Sequence, residues 1–163
     1  MRRLRKQQTS DTRPVVREAL RHTVNGELNS FVDAIAALRK RPIRLLGWPL
    51  AGDVPSGLWI ARTDQDFIVY PEGAPAARKR AIVCHELAHM LLGHNMREDG
   101  QSAQLAAMVV APSIDPAVAA RFLTRHGYED TIEAEAETLG TELAASLAAA
   151  EADPTERVAR RLR

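Results

Sequence analysis

His85, Glu86 and His89 are the residues of this chain whose types and spacing could do chemistry together. Side chains four apart share one face of a helix, so the imidazoles of His85 and His89 can converge on a single divalent ion. Glu86 lies one step round, within reach of a water at that ion, where a carboxylate can serve as a general base. Zinc held in this His-Glu-x-x-His pattern polarises a carbonyl and lowers the pKa of its water towards neutrality. Peptide hydrolysis is the reaction such a triplet implies.

The triplet works only if a helix carries it, and the flanking residues argue for one. Pro75 suits a first helical turn, Ala76 to Leu92 contain no further breaker, and Gly93 suits a C-terminal cap. A surface helix with two histidines is the plainer alternative. Against it, Ala81, Ile82, Ala88, Leu91 and Leu92 make most of the surface around the histidines apolar. A buried Glu86 carboxylate then needs a partner.

A catalytic zinc usually takes three protein ligands, so one remains to be found. His94 is nearest, but in the long three-histidine motif the glycine and the last histidine fall about seven and ten residues after the first. Here Gly93 and His94 do not keep that register, and a capping glycine followed by a polar histidine explains them better. A later helix, expected over about Asp130 to Ala150, offers Glu133, Glu135, Glu137 and Glu142. Its apolar stripe is Ile132, Ala136, Leu139, Leu143 and Leu147. At about 100° per residue, Ala136 and Gly140 lie on the Glu133 side of that stripe, Glu135 lies on the other side, and Glu137 stands farthest round. Glu133 is the best aimed, with Ala136 and Gly140 small enough to let the two helices meet; Glu135 and His94 stay open as alternatives.

At these two motifs the chain resembles the ImmA/IrrE family of zinc metallopeptidases. The likeness rests on His85-Glu86-Leu87-Ala88-His89 with an apolar turn and His94, then on Glu133-Ala134-Glu135-Ala136 opening a helix that runs on through Leu139 to Leu143. It covers about residues 40 to 145. Glu137 stands where the family commonly has Asn, Leu139-Gly140 stand where Phe-Ala is common, and the usual Leu-Leu-Met-Pro ending is absent. The resemblance implies a zincin-like, gluzincin-like domain with His85, His89 and Glu133 as ligands and Glu86 as the catalytic residue. It also implies a regulatory endopeptidase that cuts a helix-turn-helix transcriptional repressor and so switches on stress-response or mobile-element genes.

The rest of the chain supplies the frame. At 163 residues and 45% hydrophobic, it suffices for one domain with a real core. The expected class is α+β, mostly helical, with a small sheet or hairpin packed on the motif helix. Two N-terminal helices follow from Val16, Leu20 and Val24, ended by Asn25-Gly26, and from Leu28, Phe31, Val32, Ile35 and Leu38, ended before Pro42. Ile43 to Trp48 reads as a strand and Gly52 to Gly57 as loop. Leu58-Trp59-Ile60 and Phe67 to Tyr70 read as a hairpin around Thr63 to Asp66. Residues 95–101 read as a polar connection, residues 102–110 fit helix and strand equally, and Asp115-Pro116 opens a short helix closed by Gly127. The domain is expected over residues 13–152, between a disordered basic start at 1–12 and a basic tail at 153–163.

Charge is unevenly spread: residues 1–44 hold 11 basic against 4 acidic side chains, and the remainder 11 against 17. A basic arm suggests nucleic acid, but no aromatic interleaving, glycine-rich loop or complete helix-turn-helix accompanies it, so direct DNA contact is not expected. No apolar signal or membrane-length segment occurs, and Cys84 has no second cysteine to pair with. A cytoplasmic protein with no membrane partner is the expectation, and Cys84 is expected to pack as a small apolar residue. Four residues could stabilise an oxyanion: Tyr70, His94, His126 and Tyr128. Phe67 to Tyr70 is the expected edge for an extended substrate, so that proline at position 68 would abolish cleavage and spare the metal. Zinc is the expected ion, though two histidines and a carboxylate also suit Mn²⁺ or Fe²⁺. The competing function is a zinc-stabilised interaction module, the toxin-like partner of an antitoxin or regulator, without catalysis.

Overall fold

The computed structural model describes residues 12–49, 57–94 and 130–152, and it is α+β, with four helices and a three-stranded sheet among those residues. The expected disordered start and basic tail, the loop at 52–56 and the elements expected between 95 and 129 lie outside the described residues.

Helix α1 spans Arg13–His22 and opens with proline in its first turn, where a missing N–H costs nothing. Its end is turned by Asn25 and Gly26, both at positive φ. A Cβ on Gly26 would stand 2.4 Å from the Leu147 carbonyl oxygen, so the turn packs tightly on the last helix. Helix α2, Leu28–Arg39, buries Phe31, Val32 and Ile35 but leaves Leu38 exposed, and Val24, beyond the end of α1, is exposed as well. α2 ends at Arg39, before Pro42 as expected. Lys40 takes the left-handed conformation, and the Arg41 N–H closes back onto the Ala36 carbonyl at 3.0 Å.

Strands β1 (Ile43–Trp48), β2 (Leu58–Ala61) and β3 (Asp66–Pro71) form a sheet in the order β1-β3-β2. β2 and β3 make the expected antiparallel hairpin, with Trp59 opposite Ile68, and β1 lies parallel to β3, with Leu45 opposite Ile68. This corrects the expectation that Phe67 to Tyr70 is a free edge. β3 is the central strand, its backbone groups are taken by a neighbour on each side, and Ile68 is fully buried. Proline at 68 would therefore break the sheet itself rather than a substrate edge. Alternation identifies a strand but carries no information about its neighbours.

Asp66 anchors the sheet to the helices. Fully buried, its Oδ2 accepts from Arg39 Nη1 at 2.8 Å and from Arg41 Nε at 3.0 Å, and Arg39 Nη1 also contacts the Met90 sulfur. Arg41 further donates to the carbonyls of Arg62, Thr63 and Gln65, clamping the hairpin turn.

Helix α3, Ala76–Leu92, carries the motif, starting just after Pro75 at the N-cap and ending at left-handed Gly93. It packs on β2 and β3 and most extensively on helix α4, Asp130–Ala152. The core gathers Phe31, Ile35, Ile68, Val83, Leu87, Leu143 and Leu147 from every layer. In α4 the buried positions are Ala136, Gly140, Leu143 and Leu147, while Ile132 and Leu139 are half-buried. The buried face thus sits about 50° beyond Ile132, which brings Glu133 to within about 50° of its centre. A Cβ on Gly140 would lie 2.8 Å from the His85 Cα and 3.1 Å from its backbone nitrogen. Gly140 is where the two helices touch backbone to backbone.

Candidate metal centre

Three of the side chains singled out from the sequence meet. His85, His89 and Glu133 each offer a donor atom, all within 4.8 Å of one another. His85 Nε2 stands 3.0 Å from His89 Nε2, and Glu133 places one carboxylate oxygen 3.3 Å from His85 Nε2 and the other 3.4 Å from His89 Nε2. Two ligands about 2.0–2.1 Å from a tetrahedral zinc ion stand about 3.3–3.4 Å apart, so the carboxylate–imidazole spacings match edges of that tetrahedron. The two imidazoles are slightly closer. Two neutral nitrogens and one carboxylate are a donor set that suits zinc and also Mn²⁺ or Fe²⁺. The residues fit a divalent metal.

Helix geometry brings each donor in. His85 and His89 share a face of α3 that turns towards α4, and the Gly140 contact lets Glu133 reach them from the facing helix. His89 is fully buried, and its pKa is pushed down to about 3 by desolvation first, then by the neighbouring His85 and His94. It is a neutral imidazole throughout the physiological range, the form that donates a lone pair.

Glu86 is 95% buried beneath β2. Desolvation raises its pKa to about 8, the nearby Glu133 carboxylate pushes the same way, and a hydrogen bond from the Trp59 backbone N–H works against both. Gly57 makes the room: a Cβ there would stand 3.0 Å from Glu86 Oε1 and 2.5 Å from Ile82 Cγ2. The partner that a buried Glu86 requires is thus a strand N–H from β2.

Three further residues that the sequence ranked below Glu133 or favoured less as ligands, His94, Glu135 and Glu137, lie around the cluster. His94 does follow a capping glycine, but it is buried rather than solvated. Its Nδ1 stands 3.2 Å from His89 Nδ1 and its Nε2 3.2 Å from Glu135 Oε2, so both histidine and glutamate lie one shell outside the cluster. Glu137 places Oε2 3.4 Å from His85 Nδ1. A signal for it existed: Glu133 and Glu137 repeat the four-residue spacing of His85 and His89 on the opposing helix.

The other expectations divide. Glu142 is exposed. Cys84 is fully buried in the core, where burial pushes its thiol up to about 12 against the opposing pull of Arg80, so it packs as an inert apolar residue. Among the oxyanion candidates, Tyr70 carries Lys79 Nζ 4.5 Å above its ring, and His126 and Tyr128 lie outside the described residues. Among the described residues no helix is long and apolar enough to cross a membrane. No family model, curated protein or solved structure matches this chain.

Proposed function

We propose that this protein is a metal-dependent endopeptidase whose centre is His85, His89 and Glu133, with Glu86 as general base. The observation that carries the reading is the convergence of three metal-type donors, His85 and His89 from α3 and Glu133 from α4, beside a buried, strand-bound carboxylate on the same helix turn as the histidines. A purely structural metal site has no use for that carboxylate, whose burial is costly.

When bound, a zinc ion would supply the Lewis acid that polarises the scissile carbonyl. The chain's own residues do the rest. Glu86 takes the proton of the attacking water and returns it to the leaving amine, a task best served by a pKa near the working pH. Burial and the neighbouring Glu133 carboxylate hold Glu86 high while the Trp59 N–H favours its ionised form, and the balance puts it near that range, at about 8. The Trp59 N–H holds the carboxylate in place. β2 is also the outer strand on this side of the sheet, which makes it the better edge for an extended substrate than β3.

The resemblance to the ImmA/IrrE family supplies the substrate class: a helix-turn-helix transcriptional regulator, cut at one site in the cytoplasm. The test is to incubate zinc-loaded protein with the nearest-encoded regulator of that type and follow intact mass. One discrete cut, lost on chelation and restored by metal, supports the reading. A stable complex with bound zinc and no cut would replace it with the non-catalytic interaction module.

A second expected outcome isolates the base. Gly57→Ala forces Glu86 Oε1 or Ile82 to shift, and a displacement of about 1 Å in a reacting group can cost on the order of 100-fold in rate. Cleavage should fall by that order with zinc affinity unchanged. An unaltered rate would show that the Glu86 position is not critical.

A further inference from the structure

The hydrogen bonding around His89 runs beyond the metal centre to the surface of α4. His89 Nδ1 faces His94 Nδ1 at 3.2 Å, and His94 Nε2 faces Glu135 Oε2 at 3.2 Å. We propose that His94 and Glu135 are a positioning pair that locks His89 in the one tautomer able to ligate a metal; this rests on the metal-centre reading above.

The direction of the chain follows from what each atom can do. An ionised carboxylate only accepts, so the His94 nitrogen facing Glu135 carries the hydrogen. A neutral His94 then has a bare Nδ1, and the contact with His89 is a hydrogen bond only if His89 Nδ1–H donates into it. His89 Nε2 is thereby left as a lone pair, and Nε2 is the atom aimed at His85 and Glu133. Reversing any one link would put a hydrogen on His89 Nε2, where it blocks a metal. The carboxylate at the far end therefore sets the tautomer two residues away.

The fold builds this arrangement deliberately close. Gly93 takes φ 70°, and the His94 N–H closes onto the His89 carbonyl at 2.9 Å, which folds the chain back and lays the His94 ring against His89. The ring planes meet at 67° with centroids 5.3 Å apart, so the rings meet at their edges rather than stacking face to face. His94 is buried, so water does not compete for the bond, while Glu135 is more than half exposed. Glu135 stands about 110° from the centre of α4's buried face, on the side opposite Glu133, which is why one helix can serve both shells. Outer partners of ligating histidines fix the tautomer and ring orientation, and their loss typically costs 10–100-fold in metal affinity.

The experiment uses the full chain. Nitrogen chemical shifts of the metal-free protein at about pH 8, where an unperturbed imidazole is neutral, read each tautomer directly. Wild type should show His89 protonated at Nδ1 alone and His94 at Nε2 alone. Zinc affinity, measured by chelator competition, should fall about 10–100-fold in His94→Ala, and Glu135→Ala should move it the same way, with a mixed His89 tautomer. His94→Gln, whose amide oxygen can still accept from Nδ1–H, should recover much of the loss, which a merely structural role for the ring would not produce. Glu135 is exposed, so its variant keeps the test alive if His94→Ala fails to fold. A hydrogen on His89 Nε2 in the wild type, or wild-type affinity in Glu135→Ala and His94→Ala alike, would overturn the proposal. Wild-type protein that binds no zinc overturns the metal-centre reading instead, and the tautomers still report on the pair separately.

Discussion

Glu86→Gln should abolish peptide cleavage, keep the metal, and at alkaline pH make the metal-free protein more stable than wild type. General-base catalysis contributes about 10²–10⁴-fold, so a loss of at least that order is expected in turnover, with chelator competition showing zinc affinity little changed. The stability effect follows from linkage. Folded Glu86 holds its proton up to about 8, whereas the unfolded carboxyl loses it near 4.5. Between those values the unfolded state binds fewer protons, so stability falls as pH rises, by up to about 1.4 kcal/mol per pH unit. His89 acts oppositely: its folded pKa of about 3 lies below its ordinary 6.5, so between them the unfolded state binds more protons and stability rises with pH.

The two slopes cancel between about 4.5 and 6.5 and leave Glu86 alone between about 6.5 and 8. Metal-free wild type should therefore hold a plateau at mildly acidic pH and then lose on the order of 2 kcal/mol by pH 8. Urea unfolding at about pH 6 and pH 8.5 reads the difference as a shift in midpoint. Glutamine cannot ionise, so the variant should stay flat over that interval. Equal losses in both proteins would show that Glu86 is not the group responsible.

Gly140→Val should separate the two halves of the centre. Valine is a better helix former than glycine by a few tenths of a kcal/mol, so propensity alone would stabilise α4. The new Cβ, however, meets His85 backbone atoms at 2.8 and 3.1 Å and the Cys84 carbonyl carbon at 3.3 Å, none of which can rotate away. Overpacking of this kind costs about 1–3 kcal/mol, which outweighs the propensity gain. α4 must move off α3 and carry Glu133 with it, so zinc affinity should fall by at least the 10–100-fold typical of a lost outer partner. Thr141→Ala, on the exposed side of the same helix, should change neither quantity. A folded Gly140→Val protein with wild-type zinc affinity would mean that the helix contact does not set the site.

Both expectations turn on glycines and carboxylates whose neighbours lie far away in sequence. Gly57 and Glu86 are 29 positions apart, and Gly140 and His85 are 55 apart. Such pairs are read from the packed structure, where a missing Cβ becomes room for a particular atom.

What the amino-acid order determined unaided was local. The helix around His85 and His89, its Gly93 cap, the two N-terminal helices, the hairpin and the α4 stripe all follow from periodicity and end signals within a few residues. The side of the stripe on which Glu133 stands, with Ala136 and Gly140, also follows, because a helix of known period fixes which side chains share a face. Periodicity is blind to what packs against a face. Tertiary structure alone decided that β3 lies between β1 and β2, that a Trp59 N–H holds Glu86, and that His94 turns inward to join His89 with Glu135. Each of these joins atoms brought together by chain reversal or helix contact, and their stabilisation depends on excluding water, which no single segment can do for itself.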